Sequence, residues 1–423
     1  MLASCSGDKT VRIWSRRRGP AAANGAPVGD AMAASVPADP QQHPQQQHWY
    51  CSAILDQCHT RTIRSVAWAP SGRALATASF DATVAIWELS GGVWEQVAEL
   101  EGHENEVKCV AWNPDGRLIA TCGRDRSVWI WESMPGREYE CVDVKQGHSQ
   151  DVKVVRWHPG GELLVSAGYD DTLRLWTYDG DEWGCAQTLG GSGFGPGHES
   201  TVWDVAWDPT GQRLASCSDD RTVKVWEVRP GAGAGAGGAS GAGAETRGGE
   251  GPADAGGGGA AAAGGGGGGG ERGVFVPSKP DLRCGATLSG YHVRTVFALD
   301  WGRLGLIATG DGEDSIQVFG QGDPDAAALQ LRAAERHAPH PTPPAAPAQA
   351  QAQAGEEGAQ AAGSDGPGPG LLGEQRGAWG RWARVEGAHE SDINCVRWSP
   401  VEPQLLASSC DDGAIKLWWL AAR

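Results

Sequence analysis

Six histidines open the same pattern along this chain. His59, His103, His148, His198, His292 and His389 are each followed four residues later by Ile63, Val107, Val152, Val202, Val296 or Ile393. Nine residues after each His comes a tryptophan: Trp68, Trp112, Trp157, Trp207, Trp301 and Trp398. An Asn-Pro-Asp-Gly-like turn, an apolar strand, a second turn carrying Asp and a strand ending in an aromatic residue complete each copy. In the copies opened by His59, His103, His148 and His198, that Asp falls 22 residues and the closing Trp 28 residues after the His. A fixed register of this kind requires one supersecondary unit repeated in space.

Repeats of about 40–45 residues, with His near the start and Trp near the end, read as blades of a WD40 β-propeller. The expected fold is all-β: one seven-bladed propeller over residues 1–423. "LASCSGDKTVRIW" is a seventh copy that holds only the two middle strands. The expectation is that the sequence starts inside blade 1. Blade 1 then lacks its inner strand, and the last blade lacks the outer strand that closes the ring.

Each blade offers a four-residue hydrogen-bonding set. His103, Thr121, Asp125 and Trp131 form one; His198, Ser216, Asp220 and Trp226 form another. Buried polar groups persist when they satisfy one another, so these residues read as braces and not as catalytic groups. The hydroxyl position is filled in every copy, by Ser4, Thr77, Thr121, Ser166, Ser216, Thr309 and Ser408. In the penultimate copy Glu313 stands for the Asp and Phe319 for the Trp, so that blade is expected to be looser.

Three low-complexity tracts interrupt the array, at residues 16–47, 230–272 and 321–378. Rich in Gly, Ala, Pro and Gln, they bury too little apolar area to fold and read as disordered. Each follows the third strand of a blade, after Trp14, Trp226 or Phe319, which gathers all three on one face. "HPQQQH" at His43–His48 reflects this compositional bias and not a metal site.

Composition narrows the function. A formal net charge of −17 argues against general nucleic-acid or anionic-membrane binding, which needs basic surface. No apolar run reaches membrane-span length. The eleven cysteines include no C-x-x-C pair, and Cys5, Cys122, Cys217 and Cys410 lie in apolar strand patterns. No clustered metal ligands and no cofactor site are expected.

The other face keeps short turns, and its cations stand out on an acidic chain. The residue before each turn Asp is Gly7, Phe80, Arg124, Tyr169, Asp219, Gly312 or Asp411. The residue after each early Val or Ile is Arg64, Lys108, Lys153, Trp203, Phe297 or Asn394. Blades 2 to 4 thus present Arg64, Lys108, Arg124 and Lys153, with Phe80, Tyr169 and Trp203 among or beside them. Arg and aromatic groups are favoured anchors for a partner, and Arg grips carboxylates in a fork. Arg124 has a plainer alternative, a solvated pair with Glu106 or Asp151.

"LEGHENEVKCVAWNPDGRLIATCGRDRSVWIWE", "TASFDATVAIWE" and "GHESTVWDVAWDPTGQRLASCSDDRTVKVWE" resemble the WD40 protein family of cytosolic iron–sulfur cluster assembly. The resemblance covers nearly all of the chain outside the inserts. It implies a non-catalytic docking subunit of a targeting complex, working with a helical-repeat scaffold subunit and a small adaptor subunit. Its implied clients are apo iron–sulfur proteins of the cytosol and nucleus, some ending in an acidic residue and an aromatic terminus. The family arginine of "SRDKSVW" corresponds to Arg124, with Gly123 in place of the family Ser. The other readings are a generic WD40 scaffold or a ubiquitin-ligase substrate receptor. "IWEL", "IWES", "LWTY" and "VWEV" lack the W-D-x-R of many such receptors. An enzyme is disfavoured because no nucleophile–base pair or carboxylate pair stands apart from the bracing sets.

Overall fold

Small and β-branched residues fill the middle strands, in runs such as ALATAS, LIATCG and LLVSAG that are buried almost throughout. Sheets made of such strands can stack face to face at close range. The computed structural model describes residues 1–16, 49–191, 196–230, 280–322, 329–335 and 378–422. These residues form seven antiparallel sheets arranged as a β-propeller. Most of the three inserts, and His43–His48, lie outside the described residues.

Blade 1 contains β1 (Leu2–Cys5), β2 (Val11–Arg16) and β3 (Trp49–Leu55). Blade 2 contains β4 (Ile63–Trp68), β5 (Ala74–Ser79), β6 (Val84–Ser90) and β7 (Val93–Leu100). Blade 3 contains β8 (Val107–Trp112), β9 (Leu118–Gly123), β10 (Ser127–Met134) and β11 (Glu138–Gln146). In blade 4 follow β12 (Val152–Trp157), β13 (Leu163–Gly168), β14 (Thr172–Tyr178) and β15 (Trp183–Gly190). Blade 5 has β16 (Val202–Trp207), β17 (Arg213–Ser218), β18 (Val223–Pro230) and β19 (Pro280–Leu288). Blade 6 has β20 (Val296–Trp301), β21 (Ile307–Asp311) and β22 (Ile316–Gln321). The chain then forms β23 (Leu329–Glu335) before returning to blade 6 as β24 (Trp379–Val385). Blade 7 joins β25 (Ile393–Trp398), β26 (Leu405–Cys410) and β27 (Ile415–Ala422) to β23.

The bracing sets form as the spacing requires. In blades 2 to 5 the closing Trp donates its indole N–H to the Ser or Thr hydroxyl. That hydroxyl lies 2.7–2.9 Å from the His Nε2. The His Nδ1 lies 2.6–3.1 Å from the turn Asp. The Asp also accepts the backbone N–H of the residue after the His.

Blade 6 corrects one expectation. Asp311, two residues before Glu313, meets His292 Nδ1 at 2.7 Å, and both side chains are fully buried. Ser315 donates to the same carboxylate at 2.6 Å, and Gln317 donates to the Tyr291 carbonyl at 2.9 Å. Phe319 is fully buried in the Trp position. The blade is braced by a shifted carboxylate and an added amide, so it is not looser for lack of an Asp at 313.

The ring closure brings a second correction. Blade 1 has three strands, as expected, but the outer place in blade 7 is filled. The strand there, β23, lies inside the 321–378 tract that its composition marks as disordered. It pairs antiparallel with β27, setting Leu329 opposite Ala422, Leu331 opposite Leu420 and Ala333 opposite Trp418. Alternating apolar residues give this short piece one face to bury, and Leu331 packs into the blade 6–7 core. Arg16 of blade 1 then forks onto Glu402 of blade 7 at 2.6 and 3.0 Å. Toward the inner strands, Asp204 of blade 5 accepts from Arg156 of blade 4 at 3.1 Å and Arg397 of blade 7 at 3.0 Å.

Two outcomes follow from these contacts. Leu331→Ala should destabilise the protein by about 2–3 kcal/mol and promote self-association through the exposed β27 edge, measured by denaturant unfolding and size-exclusion chromatography. Acid should also unfold the ring early. Burial holds His148 and His198 below their usual pKa. For Asp170 burial works the other way, yet its bonds to His148 and Thr172 outweigh burial and bring it down to about 2. In both cases the unfolded chain binds more protons. Stability should therefore fall as pH drops below about 6.5, and fall further between about pH 4 and 2. Thermal unfolding against pH checks this, and Asp170→Asn should flatten the lower limb.

Candidate functional site

A β-bulge opens the first strand of blades 2 to 7. The pairing register shifts between Ile63 and Ser65, Val107 and Cys109, Val152 and Val154, Val202 and Asp204, Val296 and Ala298, and Ile393 and Cys395. The extra residue in each case is Arg64, Lys108, Lys153, Trp203, Phe297 or Asn394. A bulged residue leaves the ladder, which turns its side chain away from the regular pleat.

The residue before each turn Asp is fixed by a different bond. Phe80, Arg124 and Tyr169 each donate their backbone N–H at 2.9 Å to the carbonyl of Thr62, Glu106 or Asp151. This ties the turn between the second and third strands to the loop entering the first. Gly123 permits the approach in blade 3, because a Cβ there would lie 2.3 Å from the Glu106 carbonyl oxygen.

These two devices converge on one cavity of about 200 Å³, lined by Arg64, Phe80, Glu106, Lys108, Lys153, Tyr169 and Trp203. Six of the seven candidate rim residues therefore share one wall. Arg124 stands beside the cavity and does not line it. Its guanidinium is half exposed and sits 3.1 Å from Glu106, which also accepts from Arg61 at 2.8 Å. The plainer alternative for Arg124, a pair with Glu106, is the one that forms. Burial opposes charge on Glu106, but the two guanidinium groups outweigh it and hold its carboxyl below the usual range.

Not all the positive charge is used. Lys108 pairs with Asp151 and also lies 5.0 Å from the Tyr169 ring. Lys153 sits between two rings, 4.3 Å from Tyr169 and 4.0 Å from Trp203, with no ion pair among the described residues. Arg64 has no ion pair among the described residues. Burial first, then the charges of Lys108 and Arg64, lower the Lys153 pKa to about 7. Trp203 packs edge-on against Tyr169 and Phe297, and its buried indole N–H has no acceptor. The cavity therefore combines three aromatic walls, two cations lacking ion pairs and one unsatisfied donor.

The WD domain, G-beta repeat, family model matches residues 1–15, 49–88, 94–132, 139–177, 185–227 and 383–418. It passes over blade 6, where Asp311 and Phe319 carry the altered bracing. A probable cytosolic iron-sulfur protein assembly protein CIAO1 homolog of Chlamydomonas reinhardtii is 61% identical over 420 residues, 99% of this chain and 92% of that protein. The chain belongs to the CIAO1 family of WD40-repeat proteins. Protein CIA1 of Arabidopsis thaliana is 42% identical over 426 residues, 100% of this chain and 88% of its own length. The human probable cytosolic iron-sulfur protein assembly protein CIAO1 aligns over 142 residues at 39% identity, 33% of this chain and 28% of that protein.

Arg61 does not emerge from the sequence as a site residue, and Glu106 and Asp151 emerge only as alternative partners of Arg124. All three lie in the loops before the first strands, and the Arg61–Glu106 and Lys108–Asp151 pairs reach across to a neighbouring blade, which no period reports. Against the expectation of no clustered metal ligands, His389, Cys410 and Asp412 of blade 7 bring three donor types together. None of the three lines the cavity.

The Lys153 amine should titrate near pH 7, visible by NMR of labelled lysine. Arg64→Ala should raise that value by removing a like charge.

Proposed function

We propose that this CIAO1-family protein is a non-catalytic adaptor of cytosolic iron–sulfur protein assembly, whose basic–aromatic cavity receives an acidic, aromatic segment of an apo-client. The relatives' names place them in that assembly process. The observation that carries the site reading is the charge imbalance inside the cavity: Arg64 and Lys153 have no ion pair among the described residues. Cations gathered without counter-charges call for a carboxylate. Phe80, Tyr169 and Trp203 supply the surface for a ring beside it.

The size supports a peptide over a metabolite. About 200 Å³ is below the roughly 300–1,000 Å³ of small-molecule sites and suits one large side chain. On a molecule of net charge −17 the local cations form the favourable contrast that steers an acidic tail into place. Within the same proposal, a helical-repeat scaffold and a small adaptor occupy other surfaces, and the complex works in the cytosol and nucleus.

Fluorescence polarisation with a peptide ending in an acidic and then an aromatic residue tests this reading. Arg64→Glu and Lys153→Glu should each cost about 2 kcal/mol or more, with unchanged circular dichroism. Arg124→Glu, one step removed through Glu106, should cost about 1 kcal/mol. Equal affinity of the wild type and the Arg64→Glu, Lys153→Glu double variant would sink the site.

A further inference from the structure

Blade 7 departs from the other blades at two positions on one turn. The residue two before the turn Asp is Ser79, Gly123, Gly168 and Ser218 in blades 2 to 5, and Cys410 in blade 7. The residue two after it is Thr83, Ser127, Thr172 and Thr222 in blades 2 to 5, and Ala414 in blade 7. Those four hydroxyls donate to the Asp carboxylate at 2.5–2.8 Å. Ala414 offers Asp412 a backbone N–H alone, without a side-chain hydroxyl. The His389 Nδ1 to Asp412 distance is correspondingly long, 3.4 Å against 2.6–3.1 Å in blades 2 to 5.

Cys410 Sγ accepts the Asp412 backbone N–H at 3.3 Å, as the Ser79 and Ser218 hydroxyls accept that of Asp81 and Asp220. One donor atom each from His389, Cys410 and Asp412 lies within 4.8 Å of the others. Blade 6 independently shows that this position reaches the ring. Asp311 stands where Cys410 stands, and its carboxylate meets His292 Nδ1 at 2.7 Å. Blade 7 therefore presents a sulfur at the blade 6 carboxylate position and a carboxylate at the usual position, with an imidazole nitrogen within 4.8 Å of both.

We infer that His389 Nδ1, Cys410 Sγ and an Asp412 carboxylate oxygen form a divalent-metal site, with Zn²⁺ the ion that this ligand set fits best. One nitrogen, one thiolate sulfur and one carboxylate oxygen suit a borderline-soft ion that accepts four ligands, and the fourth is water. His389 Nε2 lies 2.7 Å from Ser408 Oγ, which accepts the Trp418 indole N–H at 2.8 Å. With metal at Nδ1 the ring proton sits on Nε2 and donates to Ser408, the outer bond that orients a metal-binding imidazole. The thiol proton of Cys410 leaves to solvent as the Zn–S bond forms. His389 and Cys410 are buried while Asp412 reaches the surface, so the carboxylate marks the route of entry. Lys416 donates to the Ala388 carbonyl at 2.6 Å, next to His389, and its charge weakens the site without occupying it.

Co²⁺ titration of the full chain, followed by Zn²⁺ displacement, tests the assignment. The wild type should bind one equivalent of Co²⁺ with a thiolate-to-cobalt charge-transfer band that Zn²⁺ abolishes. Cys410→Ser introduces the residue that blades 2 and 5 carry there, so the fold should persist. It should remove the band and weaken Zn²⁺ binding by about tenfold or more. Ala414→Thr should restore the hydroxyl bond to Asp412 and weaken Zn²⁺ similarly, with unchanged circular dichroism. The same band and affinity in wild type and Cys410→Ser would overturn the assignment, as would a wild type that shows no band in excess Co²⁺.

Discussion

The hydrogen-bonded relay from Trp indole to hydroxyl to imidazole to Asp governs this molecule. It ties three separate parts of a blade together: the third strand, the second strand and the loop entering the first. A single twisted sheet of small residues has little to hold its corners. The relay holds one corner of a blade together, and it does so inside the core, where a polar group left without a partner is expensive. Its success in blade 6 by another route is informative. His292 Nδ1 meets Asp311, whose carboxylate also accepts from Ser315, so what is required is a carboxylate at the ring nitrogen, not an Asp at one sequence position.

Fixing that corner also fixes the face above it. The turn before the third strand cannot drift, because its leading residue is bonded to the incoming loop, and the bulge at each first strand throws one side chain out of the pleat. Blades 2 to 5 use these two outlets for Arg64, Phe80, Lys108, Lys153, Tyr169 and Trp203. The result is a basic–aromatic surface on strands and short turns, whose cations are set close together despite their mutual repulsion. Charges held in that way stay poised for a counter-ion.

The period made the blades, the relays and most of the cavity wall legible in the sequence, because a repeated spacing fixes which way a side chain leaves a strand. Phe80 and Trp203 could be assigned to one rim for that reason, although 123 residues separate them. Three things escaped the period. Arg61 joins Arg124 on Glu106 by reach between neighbouring loops, which leaves no repeated mark. Asp311 compensates for Glu313 through a turn with its own local register. The strand β23 is hidden in a tract whose overall composition argues against folding, while five of its residues, Leu329 to Ala333, alternate well enough to complete a sheet. Composition averages over a tract, whereas pairing needs only a few consecutive residues and a free edge to receive them.

That borrowed strand alters how the ring can come apart. In a propeller built from self-contained blades, each sheet can loosen on its own. Here the outer strand of blade 7 is an excursion from blade 6, between β22 and β24, so neither sheet can separate from the other without stripping an edge. Blades 6 and 7 are thereby joined into one cooperative unit. The Arg16–Glu402 contact between blades 1 and 7 is the weaker seam, held by a pair of side chains where its neighbour is held by a shared backbone. Transient opening of the wheel belongs at that seam.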